Sequence, residues 1–275
     1  MATIADIYPL SVGAQILLLS LPLLVLSEQK SRFYGGVALF KMLCSTSFLF
    51  GPLTLVANSD FTERSPYTSA ITIGLLCSTV GDFFLLPSRS EFHRENAASS
   101  SSQDGGVSAS FQAGVVAFAA AHIAYIVAFL SIAQSISYSA LFTTFFATLL
   151  LAKWLGVIYP PSSSSASSNV LKLTLPPDMK PLVLIYAIII SSMFAVAIAV
   201  SDSTPALPDA SVDSQRVLGA AMFVVSDIFV AANAFGRGRT GPGSVDERGI
   251  VRIAVGYGLY FWGQLAIAGT VEGPY

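Results

Sequence analysis

The sequence predicts an all-α membrane protein: eight transmembrane helices around a polar intramembrane cavity, forming one domain over residues 1–275. Composition is the first observation behind this reading. Hydrophobic residues make up 53% of the chain and charged residues only 11%, against about 25% charged in a soluble domain. Mean hydropathy is +0.69. Patterning is the second observation. The apolar residues gather into eight runs, each near the roughly 20 residues that a helix needs to cross hydrocarbon. The third is the charge of the connections, which alternates along the chain. The net charge of −2 carries no sign of nucleic-acid binding.

The first run is Tyr8–Leu26. Met1–Asp6 lacks the basic stretch of a signal peptide, so this run reads as a membrane helix, kinked at Pro22. Phe33–Ala57, Tyr67–Leu86 and Phe111–Ala133 follow. The fifth run, Tyr138–Ile158, is rich in Phe and Leu and carries Lys153 near its end, where a lysine can snorkel to the headgroups. Pro181–Val200, Val217–Phe235 and Ile250–Gly269 complete the set. Cys44 and Cys77 both lie inside apolar runs, so they read as small buried hydrophobes.

Four connections carry nine basic residues: Ser27–Arg32, Pro87–Ser110, Pro160–Lys180 and Gly236–Gly249. The opposite side has only Arg64 and Arg216. The positive-inside rule puts the basic connections in the cytoplasm and both termini outside or in a lumen. An endoplasmic reticulum membrane is the expected location. Ala97–Ser102 and Ser162–Ser168 are Ser-rich loop insertions without chemistry of their own.

Two aspartates interrupt this apolar pattern. Asp82 lies in Ile73–Leu86, and Asp227 in Leu218–Ala232. A charged side chain at membrane depth costs about 3 kcal/mol or more unless it is paired or wetted, so intramembrane acids read by default as functional. Other polar residues share their depth, between the cytoplasmic interface and the midplane. These are Lys41, His122, Asn233 and Tyr260, with Gln264 slightly beyond. His122 and Tyr125 are three residues apart, Ser78 and Asp82 four, and Tyr260 and Gln264 four, so each pair shares a helix face. Asp227 and Asn233 are six apart, which turns them about 120° from one another. Each residue also has a bland reading. Ser78 and Asn233 suit interhelical hydrogen bonds, His122 a packed contact, Lys41 snorkelling, and Tyr260 packing or an interfacial position.

These residues carry a family pattern. Ser78-Thr-Val-Gly-Asp82, Ala121-His-Ile-Ala-Tyr125, Ser226-Asp-Ile-Phe-Val-Ala-Ala-Asn233 and Tyr260-Phe-Trp-Gly-Gln264 resemble, in order, the signatures of the YhhN-like family, the lysoplasmalogenases. The resemblance runs from about the second run to the end. The chain departs from the pattern at Met42, where the family often has proline after the lysine, and at Gly263, where it often has alanine. The resemblance implies an eight-helix membrane hydrolase. Such an enzyme cleaves the vinyl-ether bond of lysoplasmalogens to a fatty aldehyde and glycerophosphoethanolamine or glycerophosphocholine.

The residues fit that chemistry. A vinyl ether hydrolyses by protonation at carbon, and water captures the oxocarbenium ion that results. The reaction needs an acid still protonated near neutral pH and a negative group to stabilise the cation. A carboxylic acid ordinarily ionises near pH 4. Burial, or a second carboxylate close by, is the general means of keeping one protonated. Two buried aspartates can divide these roles, as in two-carboxylate glycoside hydrolysis. Asp82, Asp227 and His122 are the catalytic candidates, with His122 relaying protons or positioning water. Lys41, Ser78, Tyr125, Ser226, Asn233, Tyr260 and Gln264 are the candidates for holding substrate.

Other hydrolytic patterns are missing from the sequence. It has no Gly-x-Ser-x-Gly elbow and no His-Glu-x-x-His, and its only histidines are His93 and His122. No cofactor and no metal are expected; a metal held by Asp82, Asp227 and His122 is the alternative. The expected partners are a lysophospholipid substrate and the bilayer, with no nucleic acid. The competing functions are a proton-coupled transporter and a lipid-binding protein.

Overall fold

The computed structural model describes residues 11–28, 34–58, 65–86, 108–160, 169–201, 210–236 and 250–272. They form eight helices: α1 (Val12–Leu26), α2 (Tyr34–Asn58), α3 (Pro66–Phe84), α4 (Ala109–Ser131), α5 (Tyr138–Leu155), α6 (Met179–Ala199), α7 (Ala210–Phe235) and α8 (Ile250–Glu272). One helix corresponds to each predicted run. The Ser-rich segments lie outside the described residues, as do His93 and the basic residues Lys30, Arg32, Arg64, Arg89, Arg94, Arg237, Arg239 and Arg248.

Local chemistry sets several of the ends. Ser11, Ser108 and Ser137 cap α1, α4 and α5, each accepting a backbone N–H from three residues on. Pro66 opens α3, where its missing N–H costs nothing. Gly156 ends α5 in the left-handed conformation at φ 87°. Lys153 closes the same end, donating to the carbonyls of Ile158 (3.3 Å) and Tyr159 (3.0 Å).

Six of these helices are long and apolar enough to cross a membrane: α2, α4, α5, α6, α7 and α8. The other two fall short for different reasons. α1 is apolar but has only 15 described residues. α3 has 19 residues, but its Ser, Thr and Gly content and Asp82 lower its hydropathy. Burial runs opposite to that of a soluble protein. Leu19 is 73% exposed and Leu150 69%, while Lys41 is 6% exposed and His122 and Gln264 are fully buried. Outward apolar faces and an inward polar seam are what a lipid solvent requires. The chain is a multi-helix membrane protein.

α8 is the hub of the bundle and packs on α1, α2, α3 and α7. α3 pairs with α4, α4 with α6, and α6 with α7, which closes the group; α5 packs on α6. The interior is built from Leu17, Phe48, Ile71, Phe129, Met193 and Phe261, among others. The connections pair at two ends. Ser135–Ile136 (β1), between α4 and α5, runs antiparallel to Val200–Ser201 (β2), which follows α6. The segment between α5 and α6 meets the end of α7, where Thr174 N donates to the Phe235 carbonyl at 2.8 Å. α5, α6 and α7 therefore alternate in direction, as the charge pattern predicts for these connections.

One prediction needs correction. Arg216 was expected in a connection, before a run starting at Val217. α7 starts at Ala210, so Arg216 lies within it and is 1% exposed. Its guanidinium donates to the carbonyls of Ala197 (3.2 Å) and Val200 (2.7 Å) at the end of α6, and pairs with Asp213 at 2.8 Å. These are carbonyls that the end of a helix leaves without intrahelical partners. A five-donor guanidinium can serve two of them at once.

Candidate functional site

The polar residues form two hydrogen-bonded chains, and each ends on an aspartate. The first starts at α3 and α4. Tyr125 donates its hydroxyl to Gln264 Oε1 at 2.7 Å. Its one proton is thus spent, so Ser78 Oγ, 3.4 Å away, is the donor in their contact. Gln264 Nε2 donates to the Tyr260 hydroxyl at 3.3 Å. Tyr260 donates in turn to Asp82 Oδ2 at 2.8 Å. The order Ser78, Tyr125, Gln264, Tyr260, Asp82 has a single direction. Asp82 also accepts from Ser45 Oγ of α2 at 2.7 Å, and Lys41 Nζ lies 4.0 Å from its Oδ1. Asp82 is 2% exposed.

The second chain is shorter. Tyr186 of α6 donates its hydroxyl to Asp227 Oδ2 at 2.6 Å. His122 Nε2 lies 3.0 Å from the same hydroxyl oxygen. Because the Tyr186 proton points at Asp227, this contact requires His122 to carry its proton on Nε2. The other ring nitrogen, Nδ1, is buried and has no hydrogen-bond partner among the described residues.

Aromatic rings join the two chains. His122 and Tyr125 share one face of α4, with ring centroids 6.2 Å apart. Phe223 of α7 sets its edge against His122 at 5.0 Å and against Tyr260 at 5.6 Å. The Tyr125 ring reaches this position because α3 has no side chain at Gly74; a Cβ there would overlap it. At Gly81, a Cβ would come within 2.8 Å of Phe118. Gly263 has a comparable role. It packs against Gly219, whose carbonyl oxygen would lie 3.2 Å from an added Cβ. The close approach of α7 and α8 therefore favours glycine where the family pattern often has alanine.

The structure thus brings together Lys41, Ser78, Asp82, Tyr125, Tyr260 and Gln264 in one group, and His122 and Asp227 in another. It does not bring in Ser226 and Asn233. Ser226 is buried, but its hydroxyl donates to the Phe223 carbonyl of its own helix at 2.9 Å. Asn233 is exposed, as the 120° turn from Asp227 anticipates. Two contributors have no counterpart in the sequence reading. Ser45 is one of several hydroxyls in α2, and nothing local singles it out. Tyr186 is more legible: it is the one polar side chain in the run Leu182–Ile190, and a buried tyrosine hydroxyl demands a partner. Among the described residues no three His, Cys, Asp or Glu side chains gather to hold a metal ion.

No curated protein and no solved structure matches the chain. The model of the YhhN family matches residues 36–271, from the start of α2 to the end of α8, and so covers every residue of both hydrogen-bonded chains. The chain belongs to the YhhN family.

Proposed function

We propose that this protein is a membrane-embedded hydrolase that opens the vinyl-ether bond of lysoplasmalogens, with all eight helices spanning the bilayer. On this reading the polar seam is the cavity that receives the lipid's ether region. The observation that carries the reading is the unequal setting of the two aspartates. Asp82 accepts two hydroxyl donors and faces the Lys41 ammonium, surroundings that suit an anion. Asp227 accepts from Tyr186 and has no cationic partner among the described residues. That setting suits an acid that keeps its proton.

Asp227 then gives its proton to the alkenyl carbon remote from oxygen. The double-bond electrons form the new C–H bond and leave an oxocarbenium ion, which the Asp82 carboxylate stabilises. Water adds to the carbon bonded to oxygen, giving a hemiacetal, and the proton that it loses restores the acid of Asp227. The bond from the hemiacetal carbon to the glycerol oxygen then breaks, the hydroxyl giving up a proton as the glycerol oxygen gains one. Aldehyde and glycerophospholipid leave. Lys41 is an ion-pair partner at 4.0 Å, beyond hydrogen-bond reach, so its N–H donors are not consumed by Asp82. They are the candidates to meet the lipid phosphate.

Purified protein incubated with an alkenyl lysophospholipid should release fatty aldehyde, and the corresponding acyl or alkyl lipid should not yield it. Net flux of solute into proteoliposomes with no aldehyde formed would replace this reading with transport.

A further inference from the structure

Resting on that hydrolase reading, we infer that Tyr186 is a positioning residue which fixes the tautomer of His122 and joins it to Asp227 as a proton relay. The geometry carries the inference in three steps. With the acid proton of Asp227 on Oδ1, the Tyr186 hydroxyl points its single proton at Asp227 Oδ2 at 2.6 Å. Its oxygen is left to accept from His122 Nε2 at 3.0 Å. The imidazole must then expose a lone pair at Nδ1, a fully buried atom without a partner among the described residues. A buried acceptor left empty carries the full cost of its lost hydration. That cost is met when a ligand brings a hydrogen-bond donor to it. In the proposed reaction the donor that must also shed a proton is the attacking water.

The relay supplies what the reaction lacks. After Asp227 has given its proton to carbon, the water that adds must lose one. Nδ1 accepts it. The Nε2 proton passes to the Tyr186 oxygen, and the Tyr186 proton passes to Asp227. Each N–H or O–H bond broken on one side forms again on the other. Asp227 is neutral once more, and the imidazole stays uncharged with its proton now on Nδ1. When the hemiacetal breaks, Nδ1 gives that proton to the glycerol oxygen. The hemiacetal hydroxyl proton enters at Asp227, and the relay runs back to restore Nε2–H. Phe223, edge-on to the imidazole at 5.0 Å, and Tyr125 at 6.2 Å hold the ring in place without competing for Nδ1.

The chain has two histidines, so His93→Gln leaves His122 as the sole imidazole. Nitrogen-15 spectra of that protein in detergent or bilayers should show a neutral ring protonated at Nε2. A ring protonated at Nδ1, or an imidazolium, overturns the inference without any change at the site. In His93→Gln/Tyr186→Phe, the relay predicts a mixture of tautomers and a kcat lower by about 10²-fold, with KM little changed. An unaltered tautomer, or an unaltered kcat, overturns it. If the unsubstituted protein releases no aldehyde at all, the hydrolase reading fails. The tautomer spectra still report separately on whether Tyr186 sets His122.

Discussion

Tyr260 of α8 donates its hydroxyl to Asp82 of α3 at 2.8 Å, and these residues are 178 positions apart in the chain. The same hydroxyl accepts from Gln264, so one phenol oxygen ties the α8 face to the α3 acid. Tyr260→Phe removes both bonds and leaves Gln264 Nε2 without its acceptor. We predict a loss of about 1–3 kcal/mol in stability, read as a lower unfolding temperature in detergent. The rate of aldehyde release should fall as well. A variant with unchanged thermal stability would show that Tyr260 is not part of the network that holds the bundle.

The two aspartates should separate under substitution. Asp82→Asn removes the stronger of the two acidic neighbours of the buried Lys41 ammonium, Asp82 and Glu28; breaking a buried ion pair typically costs about 3–5 kcal/mol. Adding Lys41→Gln to Asp82→Asn should restore part of that loss, and a double-mutant cycle on thermal unfolding measures the coupling. Asp227→Asn keeps an oxygen for the Tyr186 hydroxyl, so its stability cost should be small. Both single variants should lower the rate by at least about 10²-fold at equal abundance in the membrane. Near-normal turnover in either would remove that residue from the proposed chemistry.

Glycine positions in the helices give a third prediction. Gly74→Ala puts a methyl into the Tyr125 ring. Overpacking of this kind costs about 1–3 kcal/mol, and it should also pull the Tyr125 hydroxyl away from Gln264. Gly258→Ala is the control, since nothing lies within 4 Å of its added Cβ. That variant should be neutral or slightly stabilising. Equal unfolding temperatures for the two variants would contradict the close α3–α4 packing.

Topology gives the fourth. The β1–β2 pairing and the contact between Thr174 and Phe235 put the α4–α5 and α5–α6 connections at opposite ends of the bundle. A cysteine at Gln134 should therefore react with an impermeant reagent from one side of the membrane, and a cysteine at Ser165 from the other. The positive-inside rule assigns Ser165 to the cytoplasm, together with Ser99 and Ser244, and puts Ser203 with Gln134. Labelling of Gln134 and Ser165 from one face would break the alternation of passes.

The sequence by itself determined the solvent and the secondary structure of this protein. An apolar run in lipid can satisfy its backbone only as a helix, and each of the eight runs returns as a helix with ends shifted by a few residues. The exception is α7, which starts at Ala210 because polar residues such as Asp213 and Arg216 hide its first turns from a hydropathy reading. Depth and helical period also marked Asp82, Asp227, His122, Tyr125, Tyr260 and Gln264, because a polar side chain in hydrocarbon stands out without any knowledge of its partners. Partnership was decided only by the tertiary structure. Tyr125 and His122 share a helix face, yet one bonds to α8 and the other to α6. Arg216 reads as a loop cation and proves to be the largest fully buried side chain among the described residues, because its partners are carbonyls of another helix. Tyr186 became part of the site only once α6 came to lie beside α4 and α7. A hydrogen bond between helices depends on distance in space, and helical periodicity carries information only along a single helix.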